Sequence, residues 1–218
     1  MSINVFAVIH SREQSEAFRN ADLAIKCGCD GVFFISHGHF ATKDLINVVK
    51  KYHVPHYAKI GINLLGEKVE NVVNDIACYV DMLWSDTIPL EAEREFFKTR
   101  RQEHLCSFEF FGGVAFKYQK QPDDLFLAAK DARECVDVLT TSGTNTGTPP
   151  DINKLEILSA GFEKKIAVAS GVTPENAVEM LPYVDNFLVS TGISDDFYTL
   201  SEEKCKKLID VIRCNQQY

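Results

Sequence analysis

Short runs of β-branched and aromatic residues alternate along the chain with longer segments whose apolar residues recur at helical spacing, and the alternation repeats eight times. The runs that read as strands are Val5–His10, Gly31–His37, Tyr57–Leu65, Met82–Asp86, Ser107–Lys117, Val138–Gly143, Ile166–Gly171 and Phe187–Ile193. Their starts lie roughly 20 to 30 residues apart, the length of one strand-plus-helix unit of a (β/α)8 barrel. The intervening helices carry their own signals. Thr173-Pro174-Glu175-Asn176 places a hydroxyl, a proline and an acid where a helix begins, and Ala177, Met180 and Leu181 supply its apolar stripe. Near the carboxyl end, Thr199 and Glu202 have capping-box spacing, and Cys205, Leu208, Ile209 and Ile212 share one face.

The same alternation also permits a doubly wound open sheet. Three features favour closure: no GxGxxG follows the first strand, the units number eight, and glycine-rich turns cluster after strands six to eight. The expected fold is therefore α/β, a (β/α)8 TIM barrel forming a single domain over residues 1–218.

Composition narrows the function classes. With 31 acids against 23 Lys and Arg, a net charge of −8 and an apolar fraction of 45%, the chain reads as an ordinary globular domain and excludes disorder. Nucleic acid is not an expected partner, because a phosphate backbone calls for a basic face. The densest basic stretch, Lys98, Arg100 and Arg101, is interleaved with Glu95 and Glu103 and reads as one solvated helix face. Seven cysteines without CxxC pairing read as thiols of a reducing compartment. The opening MSINVFAVIHSREQ has no positive n-region and only a short apolar run, so a cytoplasmic protein without membrane insertion is expected. Barrels often pair through exposed helices, which leaves a homo-oligomer open.

In a barrel of this kind the reacting groups come from the carboxyl ends of the strands. Reading each strand to its end singles out His10, Asn63, Asp86 and Lys117. Lys117 could act on an anion or, desolvated, as a base or Schiff-base amine; it could equally be a strand-end lysine in solvent. Asp86 suits a general base or a helix cap, and His10 titrates near neutral pH. Three late turns carry the second candidate group. Ser142, Gly143, Thr146 and Gly147 follow strand six, Ser170, Gly171 and Val172 follow strand seven, and Thr191 and Gly192 follow strand eight. Backbone N–H groups and hydroxyls aimed at one spot bind phosphate without a lysine, although glycine and serine also simply turn chains. Asp195 and Asp196 beside the last turn would repel an anion unless they point elsewhere. His37 and His39 form an HxH pair, but no further ligands stand at matching strand ends, so no metal is assigned and the cofactor is unknown.

The segments TTSGTNTGTPPDINKL (140–155), KIAVASGVTPENAVEML (165–181) and VDNFLVSTGIS (184–194) resemble the carboxyl half of the BtpA/SgcQ family of barrel proteins. Weaker echoes are FAVIH (6–10), AIKCGCDGVFF (24–34), GIN (61–63) and GGVAFK (112–117). The resemblance implies a barrel similar to ribulose-phosphate-binding proteins, in a family implicated in photosystem I biogenesis in cyanobacteria or without an assigned reaction. It aligns His10 and Lys117 with the family's first-strand histidine and fifth-strand lysine. It also exposes departures. The family's Glu-Asn after strand two is Ser36-His37 here, its Arg-Asn-Asp after strand three is Gly66-Glu67-Lys68, its Asp before the fifth-strand lysine is replaced near Gly113, and its Lys after the last turn is Asp195.

Two functions follow. One is an isomerase or lyase that anchors a phosphorylated small molecule on the late loops and moves protons with Lys117, Asp86 and His10. The other is a catalytically inactive ligand-binding or assembly factor. Phosphoribosylanthranilate isomerase-type chemistry fits poorly, since such barrels use Cys at the first strand end and Asp at the sixth, where this chain has His10 and Thr141 or Ser142. Ribulose-phosphate epimerase chemistry would want His and Asp ligands on strands two, three and seven, and only His37 is suitably placed.

Overall fold

Eight parallel strands close in chain order: β1 (Asn4–Ile9), β2 (Gly31–Ile35), β3 (Lys59–Asn63), β4 (Met82–Ser85), β5 (Glu109–Gly113), β6 (Val138–Thr141), β7 (Ile166–Ala169) and β8 (Val184–Val189), which returns to pair with β1. Around them lie α1 (Gln14–Lys26), α2 (Thr42–Lys51), α3 (Val69–Ile76), α4 (Leu125–Ala132), α5 (Ile152–Phe162), α6 (Ala177–Met180) and α7 (Glu202–Cys214). This is the expected (β/α)8 barrel. The coordinates are a computed structural model describing residues 3–35, 37, 42–63, 65, 69–87, 95, 99 and 108–216. The basic stretch at Lys98, Arg100 and Arg101, His39, Ser36 and the segment Gly66-Glu67-Lys68 lie outside the described residues.

Closure explains why the strands are apolar on both faces. Phe6 and Val8 of β1 and Phe33 and Ile35 of β2 point into the barrel, beside Met82, Trp84, Phe111, Phe116 and Leu188. Their alternates Val5, Ala7, Ile9, Val32 and Phe34 pack outward under the helices. Inside, Phe6, Phe33 and Phe111 meet edge to face with centroids 5.3–6.1 Å apart, and burying each ring contributes about 2–3 kcal/mol. Phe33 has room because β3 offers Gly61 opposite it; a Cβ there would stand 2.4 Å from the ring.

The amino-terminal rim repeats one device. Asp30, Asp81 and Asp137 stand immediately before β2, β4 and β6. Their carboxylates accept the amides of Val5, Ile60 and Phe110 on the preceding strand at 2.7, 2.8 and 2.8 Å. Their own amides donate back to the carbonyls of those same three residues. Each exchange ties an odd strand to the following even one, and a hydrogen bond to a charged group contributes about 1.5–3 kcal/mol. At the fourth pair the register shifts between Ile166 and Ala167, and Asp185 falls inside β8 with its carboxylate on the Asn186 amide instead.

Several boundaries differ from the sequence reading. The strand expected to run to Lys117 ends at Gly113, because Ala115 and Tyr118 take left-handed backbone (φ 50° and 63°). β8 starts at Val184, three residues before Phe187, and the residues expected as its end form a 3-10 turn at Thr191–Ile193. Pro174 to Asn176 form a turn, and α6 begins only at Ala177, whose amide donates to the Thr173 carbonyl. The Thr199–Glu202 capping box does not form: Ser201 is the cap position of α7, and Glu202 instead pairs with Lys26 and Lys206. The apolar face of α7 is as expected, with Cys205, Leu208, Ile209 and Ile212 buried.

Candidate functional site

At the carboxyl ends of the strands lies a cavity of about 230 Å³. Its floor is apolar: Val8, Ile35, Trp84, Ala169 and Leu188, each the last or nearly the last inward residue of its strand. Three of its wall residues are His10, Asp86 and Lys117, three of the four residues singled out from the strand ends, and Thr146, Gly147, Ser170 and Thr191 face the same space from the late loops.

Asp86 follows β4 directly. Gly113 lets its backbone lie close to β5, since a Cβ there would meet the Asp86 carbonyl at 1.9 Å. Gln119 donates to that carbonyl from beyond β5, and Asn63, at the end of β3, donates its amide to Asp86 Oδ1 at 3.0 Å. Burial raises the Asp86 pKa above the ordinary carboxylate value, against the Asn63 hydrogen bond and the Lys117 charge, which lower it. His10 is pulled from 6.5 down to about 4, first by burial and then by His37 and Lys117. It is therefore neutral at physiological pH, and its buried Nδ1 has no partner among the described residues. The His10 ring lies 4.2 Å from Phe197 and 5.8 Å from His37, whose own ring is 4.9 Å from Phe197.

Lys117 sits in the turn after β5, its amide donating to Ser142 Oγ at 2.8 Å. A second lysine, Lys154 of α5, braces the same turn by donating to the carbonyls of Ala115 and Ser142, and burial lowers its pKa to about 8.

The three late turns interlock. A Cβ on Gly143 would meet the Thr148 carbonyl at 2.2 Å, one on Gly171 the Pro149 nitrogen at 2.1 Å, and one on Gly192 the Val172 carbonyl at 2.0 Å. Gly171 (φ 69°) and Ser170 (φ 105°) both take positive φ, which for serine costs about 1–3 kcal/mol. Ser170 Oγ accepts the Gly147 amide at 2.9 Å, and the Tyr118 hydroxyl accepts the Thr146 amide at 3.2 Å. The sixth turn thus spends these amides internally. The amides of Gly171, Val172, Thr191 and Gly192, like those of Thr144 and Asn145 in the sixth turn, donate to no acceptor among the described residues, and free amides of this kind are the groups with which such turns receive an anion.

Ser142 and Gly143 are fully or nearly fully buried and stand outside the cavity lining, as do Asn63, Gly171, Val172 and Gly192. Asn63 nevertheless reaches the site through Asp86. Asp195 and Asp196 turn away: Asp195 pairs with Lys204 at 2.9 Å, and Asp196 accepts the Tyr198 amide at 2.8 Å. Of the HxH pair, His37 lines the cavity. No group of three or more His, Cys, Asp or Glu that could hold a metal occurs among the described residues. The sequence reading missed Phe197, Tyr118 and Trp84 as wall residues. For Phe197 and Tyr118, the signal was an aromatic in a polar turn; Trp84 looked like strand interior.

Comparison with solved structures now separates fold from function. The chain matches phosphoribosyl anthranilate isomerase from Thermus thermophilus with TM-score 0.70 and 12% identity, over 97% of this chain and 99% of that one. It matches Mycobacterium tuberculosis tryptophan synthase with TM-score 0.71 and 10% identity, over 97% and 93%. Thiamine phosphate pyrophosphorylase from Pyrococcus furiosus follows with TM-score 0.65 and 12% identity, over 98% and 96%. The likeness establishes the barrel and nothing narrower. No family model matches the chain, so the BtpA/SgcQ resemblance rests on the quoted motifs alone. An uncharacterized protein of Thermococcus kodakarensis is 31% identical over 94 residues, 42% of this chain. That stretch spans little more than a third of the relative's length, at 36%. No helix among the described residues is long and apolar enough to cross a membrane.

Proposed function

We propose that the barrel binds a phosphorylated small molecule at its carboxyl-terminal mouth and acts on it as an isomerase or lyase. The observation that carries this reading is the meeting of Asp86, His10 and Lys117 in one cavity with Ser170 and Thr191, next to the unspent amides of Gly171, Val172, Thr191 and Gly192. Phosphoribosyl anthranilate isomerase and thiamine phosphate pyrophosphorylase, whose folds the chain resembles, are by their names enzymes of phosphorylated molecules.

In this reading the seventh and eighth turns take the phosphate and Ser170 and Thr191 add hydroxyls. Thr146 and Gly147 close that side; Ser142 and Gly143 hold the sixth turn in place beneath it. Asp86, with its pKa raised by burial, exchanges a proton with the bound molecule, oriented by Asn63. Lys117 stabilises the negative charge that develops when a proton leaves carbon. His10, neutral at pH 7, is a hydrogen-bond partner rather than a cation. The partner is the ligand itself; nucleic acid and membrane insertion form no part of the proposal. A cytoplasmic setting agrees with six described cysteines that are all unbridged.

One observation favours the non-catalytic alternative: His10 Nδ1 has no partner among the described residues to fix its tautomer, so it gives Asp86 no oriented second group for proton transfer. A thermal-shift screen against phosphorylated metabolites, followed by turnover of each hit, decides between the two. Stabilisation by phosphorylated compounds with turnover supports the enzyme, and stabilisation without turnover supports the binding protein. If no phosphorylated compound raises the melting temperature, the phosphate assignment is discarded.

A further inference from the structure

Ordered around the barrel, the cavity wall is chemically lopsided. From β6 to β8 it is built of hydroxyls and glycine: Thr146, Gly147, Ser170, Ser190 and Thr191. From β1 to β4 rings predominate, with Leu65 and the Asp86 carboxylate beside them. His10 and His37 meet edge to face, Phe197 from the loop after β8 lies tilted across both, and Trp84 rises from the floor beside them. Trp84 in turn meets Phe33 at 5.8 Å and Phe116 at 6.0 Å, both edge to face. Its indole Nε1–H is buried without an acceptor among the described residues, and leaving such a donor unpaired costs about 1–3 kcal/mol.

A phosphate held by the late turns occupies only the hydroxyl side. The ring faces themselves favour a flat ring over a freely hydrated polyol, because a ring face offers few hydrogen bonds to replace a polyol's water. A flat ring would stack or meet edge to face there, and a ring atom that accepts a hydrogen bond would satisfy the indole donor. We infer that the bound molecule carries, opposite its phosphate, a heteroaromatic ring with an acceptor atom. The inference rests on the phosphate reading above and adds the class of the other end. Phe197, 37% exposed and tilted against both imidazoles, is a specificity-determining residue for the ring.

The test compares matched ligands by thermal shift and calorimetry on the full chain: pyridoxine 5′-phosphate and uridine 5′-monophosphate, then ribose 5-phosphate and glycerol 3-phosphate, then unphosphorylated pyridoxine. At least one ring-bearing phosphate is expected to bind about tenfold or more tightly than either ring-free one. Phe197→Ala should erase that advantage while ribose 5-phosphate binding and the ligand-free melting temperature stay unchanged. Trp84→Phe, which keeps a ring and removes the donor, should weaken the two heteroaryl phosphates but not phenyl phosphate. Equal binding of ring-bearing and ring-free phosphates overturns the inference and leaves the phosphate reading intact. Binding of pyridoxine as tight as that of its phosphate, or no phosphate binding at all, overturns the phosphate reading on which the inference rests.

Discussion

At the amino-terminal rim, Asp30, Asp81 and Asp137 repeat one two-way exchange at three strand pairs. At the carboxyl-terminal rim the strand ends present unlike groups: an imidazole after β1, an amide on β3, a carboxylate after β4, an amine after β5 and hydroxyls after β7 and β8. The rims also differ in how completely they are satisfied. The buried side-chain atoms without partners among the described residues are His10 Nδ1, Ser11 Oγ, Asn63 Oδ1, Trp84 Nε1 and Thr140 Oγ1. All belong to the carboxyl-terminal half of a strand or the residues just beyond it. Ser170, with its unfavourable φ, is there too. Unpaired polar atoms and strain are costs that a fold tolerates where a ligand or reaction makes use of them, and the contrast therefore supports the proposal that places the ligand at the carboxyl-terminal end.

Substitutions can break this division, the most severe first. Asp86→Asn should lower turnover of an accepted substrate by about 10²–10⁴-fold without lowering the melting temperature, because the charged carboxylate it removes is already disfavoured by burial. A destabilised variant with unimpaired turnover would move Asp86 to the structural class. Gly171→Ala meets both a left-handed φ and the Pro149 nitrogen, so denaturant unfolding should reveal a loss of about 2–4 kcal/mol together with loss of phosphate binding.

The pH dependence comes next. His10 has a folded pKa of about 4 against 6.5 unfolded; the unfolded chain therefore takes up the proton first as pH falls. Its contribution to stability is complete above pH 6.5 and is lost between 6.5 and 4, by up to about 3 kcal/mol. His10→Gln should flatten that segment of the stability-against-pH curve relative to the parent, and superimposable curves would refute the burial argument. Smallest of all, Asp81→Ala at the opposite rim should cost about 1–3 kcal/mol of stability and leave the affinity for any ligand unchanged, as calorimetry would report.

The barrel was legible because closure buries both strand faces, so the eight runs were mostly apolar and recurred at roughly the length of one strand-plus-helix unit. Positions fixed by backbone conformation were not. Nothing in VAFKY announces that Ala115 and Tyr118 turn left-handed and end β5 early, and the polar Asp185-Asn186 concealed the true start of β8. The Asp before β2, β4 and β6 was in plain view, yet its meaning needs the neighbouring strand's amide. His10, Asp86 and Lys117 could be found at the mouth because strand ends converge there by construction. Phe197 left only the signal of an aromatic in a polar turn, since it arrives from a loop whose path the periodicity does not encode. The glycines were read as ligand contacts, and the structure adds a packing reason for Gly143, Gly171 and Gly192.

That interlocking has an evolutionary corollary. Turns six to eight touch through main chain at distances no side chain tolerates, so exchanging one of them should disturb the next. On the opposite arc His10, His37, Trp84 and Asp86 line the hollow, and the close main-chain approach there is that of Gly113 to the Asp86 carbonyl. Novel reactivity in descendants of this chain should accordingly accumulate along the first four strands, with the last three conserved around whatever they grip.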